Sequence, residues 1–239
     1  MTRAPSPRPS RRQIDATRAV VRWYLRLYFD TPHDPGVTAR FCDPAVVGAR
    51  AIDPAQLRLG DPAALFRLLV ATTMFQRRQD QQILRILRST PSEDVRDLSD
   101  PQVLLTAAER SGCPALASNY SLIAACDLTK DPETKRGVCT LQPAIACRPK
   151  EHTVWLKRYG HFGKVPTSVA LMVRETGAGD LRGLYEQTLR AHRTRAARSA
   201  ALEIGLSRAW RINQKIACMF LSAISNPDLA RVCRVELSA

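Results

Sequence analysis

Apolar residues recur every three to four positions along almost the whole chain, and nowhere do they alternate over a stretch long enough for a sheet. A period near 3.6 belongs to a helix, and a half-buried strand needs a period of two. The segment 14–30 carries Val20, Val21, Tyr24, Leu25 and Tyr28 at helical spacing. Asp61-Pro62 and Asp100-Pro101 each set a capping carboxylate ahead of a proline, whose missing N–H costs nothing at the first helical position. Behind Asp61, Leu65, Leu68, Leu69, Thr72 and Phe75 fall on one face as far as about Arg78, and Asp80 opens the next helix. Behind Asp100 the pattern runs to Gly112, a left-handed C-cap. Further helices are expected within 115–128, on both sides of a glycine turn in 152–177, from Asp180 with a break near His192, and over about 208–224 before Asn226-Pro227. Residues 33–62 are broken by Pro and Gly and read as loop with short turns. The expected class is all-α.

A chain of 239 residues with 45% hydrophobic content suits one domain with a substantial core. That domain is placed at 14–239, after a disordered basic tail at 1–13 rich in Pro and Arg. No apolar run reaches the roughly 18 residues that span a bilayer, and 6% aromatic content is low for a membrane-surface protein, so no membrane partner is expected. The formal net charge is +14. Lys and Arg displace the counterions condensed on phosphate, so nucleic acid is the expected partner, against the plainer reading of an arginine-rich composition. Seven cysteines without a secretory signal point to thiols in a reducing cytoplasm rather than a disulfide framework.

Two stretches resemble the helix-hairpin-helix DNA glycosylases of the endonuclease III superfamily. In "DPAALFRLLVATTMFQRRQD", Asp61, Pro62, Leu68, Leu69, Val70, Ala71, Gln76, Arg77 and Asp80 fit the first core helix of that family. In "AWRINQKIA", Lys215 and Ala217 take the places of the lysine and the final alanine of the family's Leu-Pro-Gly-Val-Gly-Arg-Lys-Thr-Ala hairpin. The resemblance covers roughly 61–226. It implies an all-α, multi-helix glycosylase-like fold with a degenerate hairpin, since Arg211 and Asn213 stand where the family has glycines. It implies double-stranded DNA as partner, a monomer, and a cytoplasmic, nucleoid-associated protein that excises damaged bases. Family members also carry an essential Asp after the hairpin helix. This chain closes on "DLARVCRVELSA", where Asp228 and Glu236 are the remaining carboxylates and neither lies in the family's motif. Two outcomes follow: a glycosylase, whole or cut short, with or without lyase activity, or a non-catalytic DNA-binding relic.

The resemblance casts Lys215 as the lyase nucleophile. An amine attacks a sugar carbon only when partly neutral, which desolvation or the positive end of a helix favours. The plainer reading is a lysine reaching for solvent or for a phosphate. Gln76 and Arg77 are cast as the wedge that fills the gap left by a flipped base. Arg211 is expected to contact phosphate directly, and Asn213 to adopt the left-handed backbone of a missing glycine. Lys164, in the basic and glycine-bearing stretch 157–168, is expected to touch the DNA strand. The polar loop at 126–152 brings Cys126, Cys139, Cys147 and His152, a ligand set for zinc or an iron–sulfur centre on one reading and buried thiols on the other.

Overall fold

The computed structural model describes residues 9–29, 40–76, 80–89, 100–126, 129–130, 137–138 and 164–225. Contacts divide the chain into two units, Met1–Val37 and Thr38–Ala239. In the first, helix α1 runs Arg11–Phe29. It starts ahead of the expected boundary because Ser10 and Gln13 form a capping box. The Gln13 amide donates to Ser10 Oγ at 3.3 Å, and the Ser10 amide donates to Gln13 Oε1 at 2.7 Å. Val20, Val21 and Trp23 on this helix are exposed.

The second unit holds α2 (Pro44–Val47), α3 (Pro54–Arg58), α4 (Pro62–Thr73), α5 (Asp80–Arg88), α6 (Pro101–Ser111), α7 (Asn119–Ala125), α8 (Val165–Glu175), α9 (Leu181–Ala191), α10 (Arg195–Leu206) and α11 (Gln214–Ser225). One antiparallel ladder of two residues per strand joins Thr129–Lys130 to Gly137–Val138. The all-α class is as the periodicity indicates.

Aspartate writes many of the helix starts. Asp43, Asp53, Asp61, Asp100 and Asp180 each accept a backbone N–H of the helix that follows, and all but the last are followed by Pro at the first helical position. The region expected to be loop therefore contains two short helices, α2 and α3, begun by the same Asp-Pro pair that opens α4 and α6. Gly112 closes α6 in the left-handed region at φ 62°. Gly48, at φ 62°, is required twice over: a Cβ there would lie 2.8 Å from the Arg88 carbonyl oxygen, where α2 packs on α5.

The core centres on α4 and α8. From Ala64 to Thr73 every residue of α4 except Arg67 is buried, and Val165 to Val173 of α8 are buried throughout. Helices apolar on all sides belong in the middle of a bundle. Around α4 pack α3, α8, α9 and α11, and around α8 pack α4, α6 and α7. The pairs α9–α10 and α10–α11 complete the wall. Among the described residues no helix is long and apolar enough to cross a membrane.

Candidate nucleic-acid interface

Helix α10 ends at Leu206 and α11 begins at Gln214, so the expected helix start at 208 is replaced by a turn, Ser207–Asn213. The turn is pinned from three directions. The Asn119 side chain, on α7, donates to the Arg208 carbonyl at 2.9 Å. Ser168 Oγ, on α8, accepts the Trp210 amide at 2.7 Å and donates to Asn119 Oδ1 at 2.5 Å. Gln76, just past α4, donates its amide to the Arg211 carbonyl at 2.6 Å and to the Thr73 carbonyl at 3.1 Å. The Asn119 amide in turn donates to the Glu175 carboxylate. Such a network fixes backbone direction where no regular structure does so.

Within the turn Arg211 takes φ 63°, and it is the one non-glycine residue with positive φ among the described residues. Asn213 was expected to hold that conformation. Its side chain instead caps α11, accepting the Ile216 amide at 3.1 Å. Ile212 is buried between these two residues. The Arg211 guanidinium lies 4.9 Å from the Trp210 ring centroid, a cation–π contact.

Lys215 is exposed, in the first turn of α11, with Ile216 and Ala217 buried behind it. Of the two features expected of a poised amine, the helix N-terminus is present and the desolvation is not. Arg208 and Arg211 are exposed on the same turn, and no acidic residue lies in the first turn of α11. From 190 to 215 the sequence bears seven Lys and Arg residues against the single carboxylate of Glu203. Glu203 faces Cys218, whose Sγ donates to it at 3.7 Å. Cys218 is exposed, and slight desolvation first, then the neighbouring Glu203 charge and hydrogen bond, push its thiol above its ordinary pKa.

Lys164, expected to touch a DNA strand, is buried. It is 6% exposed, its ammonium donates to the Cys126 carbonyl, and it lies 5.5 Å from the Trp210 ring centroid on the inner side of the turn. A lysine held this way braces the turn from within and has no free reach to a backbone phosphate. The Gln76 amide is likewise engaged within the protein. Arg77 falls outside the described residues, as do Cys139, Cys147, His152, Asp228 and Glu236. Cys126 is buried at the end of α7, and among the described residues no group of three or more His, Cys, Asp or Glu side chains is placed to hold a metal. The expected zinc or iron–sulfur set is thus represented here by one member. The pinning residues Asn119 and Ser168 carry no motif. Their role arises only because α7 and α8 are brought against residues 208–210. No family model, characterised protein or solved structure matches the chain.

Proposed function

We propose that this chain binds the backbone of duplex DNA through the Ser207–Asn213 turn and the first turn of α11, as a helix-hairpin-helix protein of the glycosylase type. One observation carries the reading: unopposed positive charge gathers at a helix N-terminus. The amides there already present a partial positive charge, which acidic groups stabilise and cations oppose by about 0.3–1 kcal/mol each. Here Lys215 sits in the first turn, Arg208 and Arg211 flank it, and residues 204–225 contain no Asp or Glu. For folding alone the arrangement is unfavourable, and a phosphate seated there relieves it. The left-handed Arg211 at the place of the first family glycine, and the buried Ile212 at the place of the family valine, further support the hairpin.

Binding without base excision is the better supported form. Lys215 is exposed rather than enclosed in a pocket, and the turn offers no carboxylate to stabilise a sugar cation. Titrating a labelled duplex at several salt concentrations tests the binding. Log Kd should rise linearly with log salt, and Lys215→Ala or Arg211→Ala should each lower the slope by about one. An affinity flat in salt would remove the reading. Borohydride treatment with a duplex containing an abasic site tests the catalytic form: a covalent adduct lost in Lys215→Ala would restore the lyase, and no adduct leaves the binding role.

A further inference from the structure

Four helices of the second unit pack in a ring: α4 touches α9 and α11, and α10 touches the same two. Each contributes apolar side chains to the space they enclose, Leu65 from α4, Leu184 from α9, Leu202 from α10, and Phe220 and Ile224 from α11. All five are buried, yet a cavity of about 490 Å³ remains among them. A close-packed interior leaves no void of that size, whereas about 300–1,000 Å³ between the helices of a bundle is usual for a small-molecule site.

The polar groups at its edge are already served. Arg182 is exposed and donates from Nε to Glu186 at 3.0 Å and from Nη1 to the Leu59 carbonyl at 2.9 Å. Arg58 is exposed as well, and both it and Tyr185 engage other groups of the protein. Among the described residues, no side chain lining the cavity has a buried nitrogen or oxygen atom without a hydrogen-bond partner. An ionised guest would therefore exchange water for hydrocarbon walls and groups engaged elsewhere. Water gains too few hydrogen bonds from leucine walls to be a stable filling. A neutral hydrocarbon surface matches what the four helices present. The volume is about three times the roughly 150 Å³ that admits a single benzene ring, so a guest of two or three rings suits it.

We propose that this cavity binds a neutral, apolar molecule of two or three rings. Titration of the full chain with N-phenyl-1-naphthylamine, followed by the probe's fluorescence, tests it. Saturable one-to-one binding is expected, with a rise in Tm at saturation. The sulfonated counterpart, 8-anilinonaphthalene-1-sulfonate, has nearly the same rings and an added anion. In high salt, which screens the net charge, it should bind at least tenfold more weakly. Leu202→Trp puts an indole into the cavity and should abolish binding, with Tm level or raised because the substitution fills a void. Where that variant does not fold, Leu221→Trp carries the same test from a half-buried position on the same wall, and it should weaken binding at least tenfold. Unsaturable uptake, equal or tighter binding of the sulfonate, or undiminished binding by a folded tryptophan variant would overturn the assignment.

Discussion

Arg211 holds a backbone conformation that costs an L-residue with a Cβ about 1–2 kcal/mol. The bond from Gln76 to its carbonyl and the Trp210 ring beside its guanidinium offset that cost. Arg211→Val should lower stability by about a further 1–2 kcal/mol, since a β-branched side chain suits positive φ least. For a unit of this size that is several degrees of Tm at roughly 2–4 °C per kcal/mol. Arg211→Gly should leave Tm level or slightly raised. Both variants should lose about one unit of salt slope on DNA, so calorimetry and duplex titration together separate the backbone from the charge. A second residue-scale expectation concerns Cys218. Its thiol lies on an exposed residue, where slight desolvation and the neighbouring Glu203 raise its pKa, and thiolate is the reactive form. Glu203→Gln removes the carboxylate's share and leaves the slight desolvation. Alkylation of Cys218 by iodoacetamide near pH 8, followed by mass spectrometry, should therefore run faster in the variant; an unchanged rate would mean the carboxylate has no hold on the thiol.

Helices assemble this site because their starts are strongly specified and their packing partners are not. The Asp-Pro pairs at 61 and 100 are legible as helix starts, and α4 and α6 begin there. The same pairs at 43 and 53 were masked by nearby Gly and Pro, which read as breakers although Pro44 and Pro54 begin the short α2 and α3 and Gly48 caps the end of α2. The capping box at Ser10 and Gln13 is equally local and equally readable. Contacts across elements leave no such trace. Lys164 reads as a surface cation beside glycines until Trp210, far along the chain, covers it. Ser168→Ala measures how much the cross-element network contributes. It leaves the Trp210 amide and the Asn119 side-chain oxygen without the hydroxyl they share, which should cost about 1–3 kcal/mol in chemical denaturation. Asp180→Ala, which removes a single cap, should cost about 1 kcal/mol.

Across the whole molecule, class and charge were readable at once, because periodicity and a net +14 are sums over the chain. The cavity of about 490 Å³ lined by Leu65, Leu184, Leu202, Phe220 and Ile224 was not, because it exists only where separate helices meet. The positive balance should make duplex affinity fall steeply between low and physiological salt, and the loss should be shared by unrelated sequences, since phosphate contacts carry no base information. The placement of the aspartates adds a kinetic dimension. Five helix starts are sealed by carboxylates, which answer the positive end of each helix, while that of α11 is ringed by arginine and lysine. On the proposed reading a polyanion drifting past is turned toward that pole before it touches anything, and charge reversal there should slow how fast encounters mature as well as shorten how long they last.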